Sequence, residues 1–588
     1  MSSDTQAIPR HARPVGKNYK WVALSNTTLG VLLGSMDSSI ILISMPQIFK
    51  GLGVNPLQPS ETGNLLWMLL GYMVVTATLL VTLGRWADAR GRVRIYNLGF
   101  MIFSIGSVLL YFVPELTPQL GDTAVFELII FRLVQGVGAA CLIANSTAIL
   151  TDAFPPEERG LALGINMVAA LGGSLVGLLL GGFLSAINWR WVFLISVPFG
   201  IIGTIWAYIS LREQSVRRSA SHIDLPGNFC LGAGLVSLLV ALTYGLLPYG
   251  NSTTGWTNPL VIGGVVLGIL LLVGFVFVEQ RAPDPLFHLE LFRIRPFTVG
   301  CIAQFLVSIA YGGLQLIFII WLQGIWLPLH GYAFEDTPLW SAIYLLPLLI
   351  GYMIFGVTSG WLTHRLSPRN VTTGAMVVLT IAFMALRTFP ANFDYPSFAI
   401  VLFIIGAGFG AFAAPNTTSV MNALPPEYRG VGSGMRSTFQ FAGSPLSLSV
   451  YFTVLILALS TSLPVALRNG LQSNGIPADT AARVSNLPPT GALFAVFLGY
   501  NPVQTMVPPT VLQQLPDDAQ KNLLSNTFFP NAISASFMDA LRAVFLFSAG
   551  LALLAAIFSA IRGKRFVYDE STAKDKDEAG VLASAVMH

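Results

Sequence analysis

Long apolar runs separated by short polar links recur from one end of the chain to the other, and they decide the solvent in which it folds. A run of about 20 apolar residues is what crosses a bilayer core. Fourteen such runs fall at about 21–45, 64–84, 94–113, 124–150, 160–185, 190–211, 225–248, 259–279, 297–320, 338–361, 371–389, 396–420, 430–460 and 538–561. With their loops they use up the 588 residues. Hydrophobic residues make up 54% of the chain and charged ones only 10%, against roughly 25% charged in soluble domains. Each run is expected to be helical, because lipid gives the backbone no partner but itself. The expected fold class is therefore an all-α membrane protein with fourteen transmembrane helices.

Charge sets the expected orientation. With the N-terminus inside, 23 of the 32 Lys and Arg residues fall on the inner side, as positive-inside topology requires. Both termini are then cytoplasmic, with tails at 1–20 and 562–588. The formal net charge of +4 gives no reason to expect a nucleic-acid partner. Cys141, Cys230 and Cys301 lie inside apolar runs and form no C-x-x-C pair, so neither a disulfide framework nor a zinc site is expected. The chain contains no H-E-x-x-H and no P-loop sequence. No cofactor, no metal and no enzyme chemistry is expected.

The chain also repeats itself. An offset of 270 residues carries Gly136, Gly138, Pro155, Pro156, Glu157, Arg159, Gly160 and Gly164 onto Gly406, Gly408, Pro425, Pro426, Glu427, Arg429, Gly430 and Gly434. Two six-span halves in the same orientation, 21–211 and 281–561, with two inserted spans in 212–280, account for this. Parallel halves are a transporter plan, with the site near the midplane between them. One span pair is an exception to short loops. Residues 461–537 are rich in Pro, Asn, Asp and Gln and are expected outside. The apolar stretch Leu493–Tyr500 within them reads either as a short amphipathic piece over the pore mouth or as a linker without a role.

Ionisable residues within spans mark function more often than packing. Asp37 is the acid placed well inside a span, on a small and polar stripe with Gly30, Gly34, Ser38 and Ser44. It reads as a proton-coupling group or as a neutral packing acid. Arg132, near the outer end of span 4, reads as its partner, as a holder of substrate, or as a snorkelling interfacial cation. Gly173, Gly177 and Gly181 share one helix face at four-residue spacing, followed by Gly182, which invites close approach of another helix. Arg436 and Gln440 on span 13, with Gln304, Tyr311 and Gln315 on span 9, read as a wall of a substrate cavity or as plain packing. The inner loop Gly84, Asp88, Arg90, Gly91, Arg92 is dense in charge. Its acid among arginines can form a latch between neighbouring helices.

These residues resemble the major facilitator superfamily, in particular its fourteen-span drug/proton antiporters. Gly84, Asp88, Gly91 and Arg92 are similar to the loop signature after span 2. RLVQGVG, from Arg132 to Gly138, resembles the span-4 motif, and Gly173 to Gly182 the span-5 antiporter motif. MDSSIILISMP, from Met36 to Pro46, resembles the first-span motif. The resemblance implies a major facilitator fold and proton-driven export of hydrophobic or cationic small molecules by alternating access. It also implies that Asp37 and Arg132 couple the proton, that Asp88 and Arg92 latch a conformation, and that the span-5 glycines form a packed interface. The sequence departs from the pattern in three places. Leu178 stands where the antiporter motif has Pro, Ala89 replaces the usual Arg after Asp88, and span 13 carries no acid.

The expected partners are small lipophilic substrates, protons and the lipid bilayer of a plasma or bacterial inner membrane. A monomer suffices, since one chain contains both halves. Two other functions fit the same residues: export of lipids or other amphiphiles, and a membrane sensor that moves nothing.

Overall fold

The computed structural model describes residues 18–116, 122–155, 158–213, 224–250, 252–283, 285–425 and 428–563. The expectations for most of both tails, and for Pro156, Glu157, Pro426 and Glu427 in the repeated loops, fall outside these residues. Among the described residues, fourteen helices are long and apolar enough to cross a membrane. They are Tyr19–Leu52, Gly63–Arg90, Arg92–Val113, Thr123–Ala153, Leu161–Ile187, Trp191–Ser210, Pro226–Tyr244, Pro259–Glu279, Arg295–Leu329, Phe334–Thr363, Pro368–Leu386, Tyr395–Asn422, Val431–Ser473 and Phe528–Ala560, numbered spans 1 to 14 in that order. The end carrying Tyr19 and Ala560 is the one that the Lys and Arg asymmetry assigns to the cytoplasm, and it is called inner below.

Span 1 packs against span 5, span 3 against span 4, span 10 against span 12, and span 14 against spans 11, 9 and 13. The span 1–span 5 contact depends on missing side chains. A Cβ on Gly173 would collide with the Leu32 carbonyl, one on Gly177 with the Met36 carbonyl, and one on Gly181 with Ile40 and Ile43. The Ser44 hydroxyl donates 2.9 Å to the Gly181 carbonyl across this seam. Three glycines one turn apart thus let two backbones touch. Leu178 is fully buried on the same helix, and span 5 continues through it without a break.

The two inserted spans, 7 and 8, pack on each other, and span 7 lies along spans 2 and 13. Span 8 presents Leu260 and Leu270 outward, 85% and 61% exposed. In a bilayer that face meets lipid tails.

At the outer end the halves meet. Lys50 of span 1 pairs with Glu335 of span 10 at 2.7 Å. Gln323 donates 3.1 Å to the Ile43 carbonyl and 2.8 Å to the Ser341 hydroxyl. A Cβ on Gly182 would lie 2.6 Å from Leu339 Cα, so this glycine closes the seam between halves rather than the span 1 contact. Gln323 sits in a π-helical turn, Leu322–Trp326, a local widening that is frequent at functional sites.

The long outer segment departs from expectation. Span 13 runs on to Ser473 and span 14 begins at Phe528, so the connection is shorter than 461–537. Within it the helix Pro489–Phe497 is buried at every residue, so it is not amphipathic. Phe494 stacks on Phe452 with centroids 5.7 Å apart. Gly491 abuts Pro56 and Leu57 of the first half, and Val496 abuts Gly324 of the second. The apolar stretch is a short buried helix lodged between the outer ends of both halves.

Candidate coupling and substrate site

Two charges meet in the middle of the first half. Asp37 lies 18 residues into span 1, roughly 27 Å along it at 1.5 Å per residue. Span 4 runs the other way and brings Arg132 to the same level. Arg132 Nη1 donates 2.6 Å to Asp37 Oδ2, and the two side chains are 3% and 0% exposed. Arg132 therefore does not snorkel. Gln135, one turn along, donates 2.8 Å to Asp37 Oδ1 and 2.9 Å to the Ser107 hydroxyl, and its own carbonyl accepts from Arg132. The guanidinium carbon lies 4.3 Å from the centre of the Tyr72 ring. Asp37 thus has both oxygens occupied, while Arg132 Nε is buried without a partner. A buried pair is costly to break from one side, by about 3–5 kcal/mol, because the surviving charge is stranded.

The pair borders open space. A Cβ on Gly34, one turn inward from Asp37, would meet nothing within 4 Å. On the opposite side, Gly177 holds span 5 against the Met36 carbonyl, the residue beside Asp37.

The charged inner loop makes its ion pairs within the first half. Arg92 Nε donates 2.8 Å to Asp88, and Nη1 donates 2.7 Å to Asp152, which ties the inner ends of spans 2, 3 and 4. Glu213 accepts from the Arg92 and Val93 amides at 3.0 and 3.1 Å, satisfying two orphan donors at the start of span 3. Gly91 has φ +115° and no room for a Cβ beside Glu213. Gly84 packs near Ala144. Arg90 is exposed and lies over the Trp86 ring at 5.0 Å. Asp152 and Glu213 were not singled out by sequence. Acids near span ends look like ordinary loop residues, and only the fold shows what they face.

In the second half the expected cavity wall is mostly packed. Tyr311 lies edge-on to Phe409 and Tyr352, with centroids 4.9 and 5.5 Å away. Gln315 is 9% exposed, and its amide nitrogen has no partner. Arg436 Nη1 donates 3.3 Å to both Gln304 and Gln440. Asn416 donates 3.3 Å to the same Gln304 oxygen and accepts from Arg562. None of Gln304, Tyr311, Gln315, Arg436 and Gln440 lines the cavity of about 690 Å³ found at the inner end. That cavity lies between spans 5, 10 and 12, among residues such as Ile165, Leu171, Gly356, Trp361 and Ser419, with Arg562 at one end. Span 9 breaks at Gly312–Gly313, where the Gly313 amide donates 2.8 Å to the Ser447 hydroxyl. Before the break, Gln304 and Tyr311 face residues of spans 12 and 13. Among the described residues, no group of three or more His, Cys, Asp or Glu could hold a metal ion.

Among the described residues, then, the two halves touch at the outer end, a cavity lies between them at the inner end, and a buried ion pair sits at mid-depth in the first half. A sequence profile described as the Major Facilitator Superfamily matches residues 27–448. The chain belongs to the major facilitator superfamily. It is 24% identical over 580 residues to the multidrug transporter protein MdtP of Bacillus subtilis, covering 97% of this chain and 98% of that one. It is 28% identical over 430 residues to multidrug resistance protein 3 of the same organism, covering 72% and 78%. A bacterial homolog of the lysosomal transporter Spinster, solved in an inward-facing and occupied conformation, shares the fold with TM-score 0.53 and 16% identity, over 95% of this chain and all of that one. The superfamily consists of transporters, so this chain is a multi-span membrane transporter and not an enzyme.

Proposed function

We propose that this superfamily member is a proton-coupled exporter of lipophilic small molecules, working by alternating access from a bacterial membrane with both termini in the cytoplasm. The buried Asp37–Arg132–Gln135 network is the observation that carries the reading, and the multidrug transporters among the relatives support the cargo. A proton on Asp37 removes its charge and with it the attraction that holds Arg132. Arg132, already short of one partner, then turns to another acceptor. Because Gly177 locks span 5 to the backbone beside Asp37, this local event bears on the helix that forms one wall of the inner cavity. Substrate enters that cavity, the inner ends close on it, and the outer seam at Lys50, Glu335, Gln323 and Gly182 opens. The Asp88–Arg92–Asp152 bridge keeps spans 2, 3 and 4 moving as one body.

Export of larger amphiphiles is a second reading, favoured by one feature. The cavity lies on the seam between spans 5 and 10, and its lining residues Leu161 and Trp361 are more than half exposed. A ligand could pass there directly from the inner leaflet.

Efflux from inside-out vesicles tests the main reading. A lipophilic cationic dye should accumulate under an imposed pH gradient and stop when a protonophore collapses it. Accumulation that ignores the gradient would remove proton coupling and leave a facilitator.

A further inference from the structure

Four polar side chains near the inner end of the second half form a cluster with positive charge and no acid. Arg562, just past span 14, is 3% exposed. One of its nitrogens donates to Asn416, while Nε and Nη1 are buried without partners. Arg436 reaches the same network through Gln304, and its Nε is also unpartnered. Neither arginine is ion-paired to a carboxylate or faces one among the described residues; the ionisable groups near them are Cys301 and Tyr352. Burial without an offsetting anion pulls the Arg562 guanidinium down to about 10.

The fold does not require these charges. The 270-residue repeat places Ser146 and Asn166 of the first half where the second half has Asn416 and Arg436. There the Asn166 amide simply donates 2.8 Å to the Ser146 hydroxyl. A neutral hydrogen bond thus does the packing work of this position in one half, while the other keeps a cation there and brings up a second. Buried guanidinium forks with free N–H groups are matched by planar or tetrahedral oxyanions. Arg562 also lines the inner cavity, with the exposed Arg369 on its rim.

We propose that Arg562, Arg436, Asn416 and Gln304 form an oxyanion-binding subsite, entered from the inner cavity past Arg562, that takes a phosphate or carboxylate group carried by a lipid or by a soluble ligand. The proposal rests on the exporter reading of that cavity and gives its substrate an acidic head beside its apolar body. Arg562 supplies two donors and Arg436 one, and Asn416 and Gln304 hold both guanidinium groups in place.

Thermal unfolding of the full-length protein in neutral detergent, followed by tryptophan fluorescence, tests it. Inorganic phosphate, titrated at constant ionic strength, and mixed micelles of phosphatidylglycerol or phosphatidylcholine are the probes. Stabilisation by phosphate, or by phosphatidylglycerol over phosphatidylcholine, is expected; the first assigns a soluble anion and the second a lipid head group. Arg562→Gln should weaken the response about tenfold or more. Arg436→Gln should weaken it as well, and it carries the test if the first variant does not fold. No response in the wild type beyond that of chloride, or an unchanged response in both variants, overturns the site. Asp37→Asn should respond to anions as the wild type does. Lost transport with an intact response in that variant therefore concerns proton coupling, and lost response with intact gradient-driven transport concerns this subsite.

Discussion

Arg132 and Asp37 are 95 positions apart in sequence and 2.6 Å apart in space, and neither side chain is more than 3% exposed. Each holds the other in a place that neither could occupy alone.

Removing one partner should therefore cost more than removing both. Arg132→Met strands a buried carboxylate and is expected to destabilise the protein by about 3–5 kcal/mol. Asp37→Asn combined with Arg132→Met should recover most of that loss. Denaturant or thermal unfolding in detergent of the two single variants and the double variant measures the coupling; strictly additive losses would mean the pair is not the unit described.

The glycines of span 5 predict a contrast between neighbours. Gly177→Ala drives a methyl into the Met36 carbonyl, whereas Gly172→Ala meets nothing within 4 Å. The first should cost about 1–3 kcal/mol and abolish transport. The second should be close to neutral in both. Expression level, unfolding midpoint and dye efflux of the two variants check this side by side.

The inner bridge depends on one fork with two acceptors. Arg92 reaches Asp88 at 2.8 Å and Asp152 at 2.7 Å. Lysine cannot span two carboxylates in this planar way, so Arg92→Lys should behave like Asp152→Asn and not like the wild type. Both are expected to lower the transport rate severalfold while changing stability by about 1 kcal/mol or less, because the groups are partly exposed.

The outer seal should open during transport. Lys50 and Glu335 face each other at 2.7 Å but are each more than half exposed. Their attraction contributes at most about 1 kcal/mol, so Lys50→Ala should leave transport nearly normal. Cysteines at the two positions, joined by a short bifunctional thiol reagent in a background lacking Cys141, Cys230 and Cys301, should stop it. Transport that continues with the link in place would show that the seam does not part.

How much of this could be read from sequence followed the physics of each signal. The spans and the repeat were legible, and Asp37 and Arg132 stood out as residues to look for together, because charge inside a bilayer is rare and an apolar run of that length has few other uses. The glycines at 173, 177 and 181 announced a close helix contact, though not that Gly182 faces Leu339 of the other half. The buried outer helix Pro489–Phe497 was only half seen. Its apolar residues stood out, but a stretch that short cannot show whether one face or every face is covered. Ser107, Tyr72, Asp152 and Asn416 carry no signal in one dimension. Arg562 resembled any positive residue following a last span until the fold placed it against Asn416.

The central claim is that Asp37 couples a proton to export. Purified protein in proteoliposomes, assayed for substrate accumulation driven by a pH gradient and for gradient-free substrate exchange, tests it most directly. Asp37→Asn should lose gradient-driven accumulation while still exchanging substrate, since binding and the conformational change remain and only the proton carrier is gone. Accumulation by Asp37→Asn at the wild-type level would make the carboxylate a packing group and contradict the account.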